Sequence, residues 1–332
     1  GMKAMAYPEY ALVAYAAWTL KRPVRWMSDR SEAMLSDNAG RDLTSFLRLG
    51  FDEDHKLRAY SVETLANMGA YNSGYAQPIQ TELFSKVLMG VYDCQTTWLG
   101  VKGIYTNTTQ VDAYRGAGRP EAIYVLERAM DYAARVLGVA AWDLREKNFI
   151  PSQAFPYATA TGETYDVGDF HKVMARATLE ADRGGFAARK AGSAAQGKLR
   201  GLGLCYYIES ILGDPAETTR VEFLNTGRVN IYVGTQSNGQ GHETVFAQFL
   251  ADQTGIPAEK IDVVQGDSDR IKQGGGTGGS RSVTVQNNAT LFTATRMIAD
   301  FSAYLSDKLG GDVSFDDERF RIDGSNETPT ML

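Results

Sequence analysis

The chain has 332 residues, which is enough for one large domain or two domains of ordinary size. Hydrophobic residues make up 43% of the sequence and charged residues 22%, a composition typical of globular proteins that excludes a largely disordered chain. The formal net charge is −6 and the basic residues are scattered, so the sequence indicates neither a nucleic-acid partner nor attachment to an anionic membrane surface.

Apolar periodicity, prolines and glycines predict the elements of the first half. Pro8 suits an early helical position, where its missing N–H costs nothing. Gly138 follows the clearest apolar helix pattern and is placed to end it in a left-handed cap. The apolar stretch from Tyr10 to Leu20 lies well short of the roughly 20 residues that a membrane span needs. The predicted elements are a helix over 8–20, a strand over 24–27, a hairpin of strands over 42–49 and 57–67, and a helix over 121–137.

The second half mixes short strands with two helices. The predicted elements are strands over 202–211, 219–224 and 229–235, a helix over 242–254, a strand over 261–265, a helix over 282–309 and a hairpin around 315–322. This alternation is not regular enough for a doubly wound parallel sheet. The sequence therefore predicts an α+β fold of mixed sheets with helices packed on them.

The composition changes between the two halves. Residues 184–198 are small and polar and lack strand character. We expect them to connect a first subdomain, residues 1–183, to a second subdomain, residues 199–332. A short helix end is the alternative for the same segment.

The two cysteines, Cys94 and Cys205, each stand alone in their segments. A disulfide framework is therefore not expected, and a reducing cytoplasm is the simpler setting. Two thiols are also too few for an iron–sulfur cluster, which normally takes four thiolates.

Two places in the second half share one local design, in which a strand leads through a glycine-rich loop into a helix. The first loop covers residues 236–242 and the second covers residues 274–282. Glycines let backbone N–H groups approach a ligand, and a helix N-terminus adds the positive end of a dipole, which suits a diphosphate. The side chains that add donors or acceptors there are Gln240, Ser280 and Ser282.

Neither loop matches a common nucleotide motif. There is no Gly-Lys-Ser/Thr of a P-loop, and the spacing of a dinucleotide fingerprint is absent, so an ordinary ATP or NAD site is disfavoured. A glycine-rich turn before a helix is also common without any ligand. A histidine at a helix start, such as His242, is more often a cap or a packing residue than a ligand.

An arginine lies in a third glycine-containing loop, just before the helix that follows Pro120. Gly116 and Gly118 permit an unusual backbone path that would present Arg115 from a constrained position. A guanidinium is permanently charged and offers a planar fork of donors, so it suits polarising a carbonyl or stabilising negative charge. The alternative is a surface arginine in a turn before a helix.

Three motifs follow one another along the chain: residues 113–121 (AYRGAGRPE), 239–242 (GQGH) and 276–282 (GTGGSRS). Together they resemble the large subunit of the xanthine dehydrogenase/aldehyde oxidase family of molybdenum hydroxylases, nearest to its carbon monoxide dehydrogenase-like branch. The resemblance covers essentially the whole chain. Further segments that agree in the family's order are residues 26–32, 40–42, 105–107, 145–150, 155–157 and 165–169.

The resemblance implies a molybdenum centre held by a pterin dithiolene, in bacterial members usually as molybdopterin cytosine dinucleotide. It implies hydroxylation of a C–H bond of a small molecule, an aldehyde or an N-heterocycle, with oxygen from water. Electrons are expected to leave through iron–sulfur clusters and FAD on partner subunits or domains. The parent enzyme is expected to be a cytoplasmic dimer of heterotrimers.

The family's site residues carry over by motif. Arg115 is expected beside the molybdenum, where it orients or polarises the substrate. Gln240, Gly241 and His242 are expected to contact the pterin or its phosphates. The residues expected to line the other side of the cofactor are Gly278, Gly279, Ser280 and Ser282. No residue of the chain is predicted to ligate the metal.

The chain departs from the family pattern at both ends. The family's glycine-phenylalanine-glycine stretch should stand immediately before Met2-Lys3, where only Gly1 is present, and an upstream glutamine that contacts the metal centre is missing. The general base, a glutamate in a glycine-rich motif, is expected beyond Leu332. We therefore expect a fragment from the middle of a larger subunit, which alone is inactive and retains no cofactor.

One further departure concerns the substrate. In the family, true carbon monoxide dehydrogenases carry a copper-binding cysteine directly after the loop arginine. Here that position is Gly116. Because glycine cannot replace a thiolate ligand, we expect the parent enzyme not to oxidise CO by the copper–molybdenum route.

Two other interpretations remain open. The same helix starts would suit a non-catalytic module that holds a phosphate-bearing ligand or docks a partner subunit. A soluble α+β domain without a ligand is the third interpretation. The identity of the substrate does not follow from the sequence.

Overall fold

A computed structural model describes residues 7–332. The predicted departure from the family pattern at the start of the chain concerns Gly1 and the Met2-Lys3 pair, which lie outside the described residues. The helices are α1 (Pro8–Leu20), α2 (Arg30–Ser36), α3 (Ala76–Gln80), α4 (Glu82–Ser85), α5 (Arg119–Leu137), α6 (Ala141–Asn148), α7 (Phe170–Glu180), α8 (Phe186–Ala194), α9 (His242–Thr254) and α10 (Ser282–Leu309). The strands are β1 (Leu43–Phe51), β2 (Leu57–Gly69), β3 (Thr97–Tyr105), β4 (Tyr157–Ala158), β5 (Thr164–Tyr165), β6 (Thr219–Phe223), β7 (Val229–Val233), β8 (Ile261–Val264), β9 (Val313–Asp316) and β10 (Arg319–Ile322).

The described residues form two compact units, of which the first ends at Ser210 and the second covers Ile211–Leu332. Each unit contains a three-stranded sheet whose middle strand pairs antiparallel with one neighbour and parallel with the other. Helices and small mixed sheets occur together, so the predicted α+β class is confirmed. Helix α8 occupies part of the segment 184–198.

The core of the first unit includes one face of helix α5. Apolar residues recur at three- and four-residue steps along this helix, so one stripe of side chains is buried. Tyr60 and Val62 of β2 belong to the same core. The helix ends at Gly138, whose φ of 70° forms the predicted left-handed cap. The buried apolar side chains of α5 are Ala122, Ile123, Leu126, Ala129, Met130 and Ala134.

A charged network lies within this apolar core. The side chain of Arg145 on α6 is 0% exposed, and its Nε donates to Glu127 of α5 at 2.9 Å. Its Nη1 lies 2.9 Å from a carboxylate oxygen of Asp131. The Glu127 carboxylate also accepts from the Tyr92 hydroxyl at 2.5 Å and from the Tyr206 N–H at 3.0 Å. Burial, followed by the Glu127 charge, raises the pKa of Tyr92 well above its usual value, so this hydroxyl remains a donor.

Two predicted strands are wrong. Residues 24–27 have no pairing partner among the described strands. Residues 202–211 are extended but also lack a strand partner, and their alternate side chains pack against the first core. In place of a ladder, the Leu204 carbonyl accepts from Arg145 and the Tyr206 N–H donates to Glu127. Burial that alternates with a period of two residues indicates an extended chain. Whether that chain joins a sheet depends on which hydrogen-bonding groups lie beside its backbone.

The second unit has its own core beside the sheet of β6, β7 and β8. All five residues of β7 are buried, as expected for a strand covered on both faces. The core also includes Phe246 and Leu250 of α9 and Ala294 of α10. Both long helices predicted for this half, 242–254 and 282–309, are confirmed at those bounds.

Helix α1 begins at Pro8 as predicted, yet none of its residues is buried. Leu12, Tyr15 and Trp18 are all exposed by more than 60%. Between residues 7 and 332, no helix has both the length and the apolar character that crossing a bilayer requires.

Replacing Arg145 by methionine should destabilise the first unit by about 3–5 kcal/mol, because the Glu127 carboxylate would stay buried without its cation. All four tryptophans precede Ile211, so guanidinium unfolding followed by tryptophan fluorescence reports on this unit. The matched control is Arg128→Met, since Arg128 pairs with Asp131 at 3.7 Å but is 58% exposed. The control should lower the free energy of unfolding by less than about 1 kcal/mol. Equal losses in the two variants would contradict the prediction.

Candidate functional site

The two glycine-rich loops of the second unit lie against each other. The N–H of Gly276 donates to the carbonyl oxygen of Gly234 at 3.2 Å. The Thr277 hydroxyl donates to the carbonyl oxygen of Gln236 at 2.6 Å and accepts from its N–H at 2.9 Å. The predicted pair of helix starts is therefore one connected surface. We call residues 234–242 and 274–282 the glycine-loop pair.

A buried ion pair fixes the second loop. The side chains of Glu217 and Arg281 are 1% and 4% exposed, and their charged groups lie 3.3 Å apart. The same Glu217 oxygen accepts from the N–H of Gly275 at 3.0 Å. These contacts set the loop conformation without a ligand. Arg281 also donates to the carbonyl oxygens of Asp214, Ala216 and Gly276.

Several backbone amides of the glycine-loop pair have no hydrogen-bond partner. Within the described residues, no acceptor is paired with the N–H groups of Gln240, Gly241 and His242, at the start of α9. The N–H groups of Gly278 and Gly279, before α10, also lack an acceptor between residues 7 and 332. Nothing lies within 4 Å of the place that a Cβ would take on Gly241 or Gly278. Free amides beside open space at two helix N-termini suit an anion.

Two buried polar atoms of the first loop have no partner. His242 is 1% exposed, and its Nδ1 has no hydrogen-bond partner in the described part of the chain. The same holds for the hydroxyl of Thr235, which is also 1% exposed. Burial lowers the pKa of His242 against opposing effects of Glu243 and Gln265, so the neutral imidazole is favoured. An unpaired buried polar group costs about 1–3 kcal/mol, which a polar ligand would offset.

The other predicted residues of this unit lie on the same surface. Gln240 is exposed, and its Oε1 accepts from the N–H of Asn238, which leaves its amide nitrogen to donate. The Ser282 hydroxyl lies 3.4 Å from that of Thr277. Ser280 is exposed and has a φ of 59°. The predicted residues that the glycine-loop pair contains are Gln240, Gly241, His242, Gly278, Gly279, Ser280 and Ser282.

Arg115 lies in the first unit, and its side chain is exposed. Gly116 and Gly118 have φ values of 97° and 88°, a conformation that side chains rarely adopt. A Cβ on Gly118 would lie 2.6 Å from the carbonyl oxygen of Ile79, and one on Gly116 would lie 2.5 Å from Cγ of Pro120. The backbone beside Arg115 therefore has little freedom.

Arg41 holds the arginine loop from a separate segment. Its guanidinium donates to the carbonyl oxygens of Tyr114 and Arg115 and lies 4.9 Å from the centre of the Tyr114 ring. Its Nε is 3.6 Å from the Glu121 carboxylate. The other oxygen of Glu121 accepts from the Gly118 N–H at 2.8 Å, at the start of α5. One guanidinium and one carboxylate thus fix both ends of the loop.

Comparison with known proteins assigns the family. Two family models match the chain, each described as a molybdopterin cofactor-binding domain, one over residues 1–149 and the other over residues 172–331. The chain belongs to the molybdopterin-binding domains of the xanthine dehydrogenase/carbon monoxide dehydrogenase family. The family predicted from the three motifs is therefore confirmed.

Relatives of these molybdopterin-binding domains are dehydrogenases and hydroxylases by name. The chain is 33% identical, over 98% of its length, to the carbon monoxide dehydrogenase large chain of Afipia carboxidovorans. It is 28% identical, over 100% of its length, to the nicotine 6-hydroxylase large subunit of Paenarthrobacter nicotinovorans. The chain spans less than half of these two relatives, 43% and 42% of their lengths. The structure of a Cu,Mo-CO dehydrogenase matches the whole chain with a TM-score of 0.84 and 31% identity, and 44% of that chain is covered.

The glycine-loop pair fits a molybdopterin on the chemistry of its donors. Molybdopterin carries phosphate, and unpaired amides at two helix starts are suited to phosphate oxygens. The pterin ring is polar, and the unpartnered atoms of His242 and Thr235 are buried groups that need polar neighbours.

Sequence analysis did not predict two residues that shape the glycine-loop pair. Glu217 lies outside any motif, and its partner Arg281 is 64 residues away, so no local pattern indicates it. Gln286 is 0% exposed, and its Oε1 accepts from the N–H of Gly234 at 3.1 Å. A signal for Gln286 exists, because it follows Ser282 by four residues and so shares its face of α10.

Replacing Glu217 by glutamine should loosen residues 274–279, because the Arg281 guanidinium would remain buried without a counter-charge. Hydrogen-exchange mass spectrometry should show at least about tenfold faster exchange of the hydrogen-bonded amides of Gly275 and Gly276, the factor that corresponds to about 1.4 kcal/mol of lost loop stability. Asp300→Asn is the matched control, since the pair that Asp300 forms with Arg296 is exposed. It should leave the exchange of residues 274–279 unchanged. Protection of these amides in the Glu217 variant would show that the ion pair does not hold the loop.

Proposed function

We propose that this chain is a cofactor-holding portion of the large subunit of a molybdenum hydroxylase. The glycine-loop pair supports this most strongly, because free amides, open space and a buried neutral histidine meet at two helix starts. The named relatives are oxidoreductases, which favours an enzyme over a binding module without catalysis.

The proposed cofactor is molybdopterin cytosine dinucleotide with molybdenum. When bound, it supplies the redox centre at which a C–H bond is hydroxylated with oxygen from water, and electrons pass to iron–sulfur clusters and FAD. The amides of Gly241 and His242 and the side chain of Gln240 would hold its polar groups from the first loop. The residues that would hold it from the second loop are Gly278, Gly279, Ser280 and Ser282.

Arg115 is proposed to orient the substrate. Its exposed guanidinium can donate to a substrate oxygen or ring nitrogen and stabilise negative charge that develops there. Arg41 and Glu121 hold the loop backbone, so the backbone that carries the Arg115 side chain is in place before the substrate binds. Because the loop is already in place, the protein rearranges less when the substrate reacts.

The substrate class we propose is an aldehyde or an N-heterocycle. The nicotine 6-hydroxylase relative is named for an N-heterocycle. Copper-dependent oxidation of CO is disfavoured by the arginine loop itself. A Cβ at Gly116 would lie within 2.8 Å of two Pro120 ring atoms, so a copper-binding cysteine does not fit there without a shift of the loop.

The proposed parent is a cytoplasmic dimer of heterotrimers. Iron–sulfur clusters and FAD would be carried by partner subunits or domains. Both cysteines of this chain are free, Cys94 buried and Cys205 exposed, in keeping with a reducing compartment.

In the parent complex, Arg115→Met should lower kcat/KM for the oxidised substrate by about 100- to 1,000-fold, the usual effect of removing one positioned donor. Molybdenum content should stay unchanged, because Arg115 lies outside the glycine-loop pair. Arg135→Met, an exposed substitution at the far end of α5, should keep full activity. Loss of molybdenum together with activity in the Arg115 variant would contradict the assigned role.

The parent complex should contain molybdenum and releasable cytosine nucleotide in equal amounts, and it should not reduce dye with CO. Metal analysis and nucleotide release after acid hydrolysis test the first expectation. A panel of aldehydes and N-heterocycles, with CO as the comparison, tests the second. A complex without molybdenum would refute the proposed function, whereas robust CO-dependent dye reduction would refute only the substrate inference.

A further inference from the structure

Residues 202–210 of the first unit, which we call the extended segment, have two different edges. In an extended chain the N–H and C=O of one residue point to the same side, and those of the next residue point to the opposite side. The Leu204 carbonyl oxygen accepts from Arg145 of α6 at 3.4 Å, and the Tyr206 N–H donates to Glu127 of α5 at 3.0 Å. The backbone groups of the even-numbered residues therefore point towards α5 and α6, and those of the odd-numbered residues point away from these helices.

The outward edge of the extended segment has no hydrogen-bond partner. Between residues 7 and 332, no donor or acceptor pairs with the backbone N–H or C=O groups of its residues. Each of these residues is exposed. Such a row of unpaired groups is a template on which another strand can pair. The residues of the outward edge are Gly203, Cys205, Tyr207 and Glu209.

The extended segment is already held in the path of a strand. Leu204, Tyr206 and Ile208 pack against the first core. Near its end, the Glu209 carboxylate accepts from Nε of Arg119 at 2.9 Å, at the start of α5. A pairing strand would therefore bind without first ordering this segment, which removes part of the entropic cost of binding.

The side chains beside the outward edge favour an apolar strand as the partner. Tyr207 is 57% exposed, and side chains of a paired strand would cover part of it. On the opposite face, the partner's side chains would continue the apolar row of Leu204, Tyr206 and Ile208. A strand with apolar neighbours on both faces is typically a short run of β-branched and aromatic residues.

The parent polypeptide is the source that we expect for this strand. The chain spans 43% of the carbon monoxide dehydrogenase large chain of Afipia carboxidovorans and 44% of the solved Cu,Mo-CO dehydrogenase chain, so more than half of each lies outside the match. A segment of the same polypeptide pairs at a high effective concentration, whereas a separate molecule loses more freedom on binding. This choice of source rests on the proposed function.

We propose that the extended segment is a strand of a larger sheet in the parent subunit. Its outward edge pairs with an apolar extended segment of the same polypeptide, outside residues 1–332. Main-chain hydrogen bonds at the odd-numbered residues hold the two segments together. The new strand lies on the side of the extended segment that faces away from α5 and α6.

Hydrogen-exchange mass spectrometry of the parent complex, resolved to single residues, tests the pairing. The amides of Cys205, Tyr207 and Glu209 should exchange at least about 100-fold more slowly than unstructured amides, because hydrogen bonds to a neighbouring strand protect them. Tyr207→Pro removes one of these donors and should speed exchange at Cys205 and Glu209 at least about tenfold. Unprotected amides in the unchanged complex would overturn the proposal.

Leu199→Pro is the matched control for the proline substitution. Leu199 is fully exposed, lies outside the extended segment, and has an N–H without an acceptor in the described part of the chain. This variant should leave the exchange of Cys205 and Glu209 unchanged. Equal effects of the two prolines would overturn the proposal, because the loss of protection would then not depend on the N–H of Tyr207.

A photo-reactive side chain identifies the partner. In the parent complex, p-benzoyl-phenylalanine in place of Tyr207 should cross-link to an apolar segment of the same large subunit outside residues 1–332. Cross-links to a second copy of residues 202–210, or to an iron–sulfur or flavin subunit, would overturn the proposal. The same reagent in place of Tyr132, which is 64% exposed on α5, is the control and should not capture that segment.

Failure of the pairing and failure of the proposed function give different results. A parent complex that contains molybdenum but exchanges the amides of Cys205, Tyr207 and Glu209 freely would overturn only the pairing. A complex without molybdenum in which these amides are protected and Tyr207 captures the expected segment would overturn only the proposed function.

Discussion

The pairing of Arg145 with Glu127 is the interaction on which the first unit depends. A guanidinium with 0% exposure is tolerated only because carboxylates and carbonyl oxygens surround it. The pair locks α6 to α5, a helix of 19 residues and so about 28 Å long, which begins four residues after Arg115. At that first turn Arg119, 3% exposed, is joined to Glu209 at 2.9 Å. Two buried arginines thus set the direction in which the arginine loop leaves the core.

The second unit uses the same kind of constraint for a different purpose. Glu217 and Arg281 form a buried pair that binds backbone groups of the loop rather than another helix. In both units the guanidinium is almost fully buried beside a carboxylate and also donates to carbonyl oxygens of the backbone. The loops are therefore shaped before any ligand arrives, which is the condition for efficient binding of a phosphate-bearing cofactor.

Prolines and glycines in the sequence predicted the ends of those helices that begin at a proline or a glycine-rich loop or end at a glycine. Pro8 and Gly138 place helix boundaries correctly, and the glycine-rich loops lead into α9 and α10 as expected. Strand β3 was missed because its burial follows no alternation, and only its parallel pairing with β2 makes it a strand. The strand prediction for residues 202–211 was wrong for the opposite reason. Their side chains do alternate between buried and exposed, but their backbone groups pair with side chains rather than with another strand.

At the candidate site, too, short motifs predicted some residues, whereas others depend on tertiary contacts. Motifs in the sequence predicted the family and drew attention to Arg115 and to both glycine-rich loops. Arg41 and Glu217 are remote in sequence from the loops that they hold, and Gln286 follows the second loop but holds Gly234 of the first. Their importance comes from burial and pairing, and neither is encoded in a short motif. The roles of Arg115 and of the loop residues in binding remain predictions.

The closeness of Gly116 to the Pro120 ring has an evolutionary consequence. A single codon change from glycine to cysteine would not supply a metal-binding thiol here, because the new side chain would enter space that the proline already fills. It would also demand a left-handed backbone from a residue with a Cβ. A mutational path from this loop to a thiolate-bearing one therefore passes through a coupled change at the start of α5, so the two positions are epistatic rather than independent.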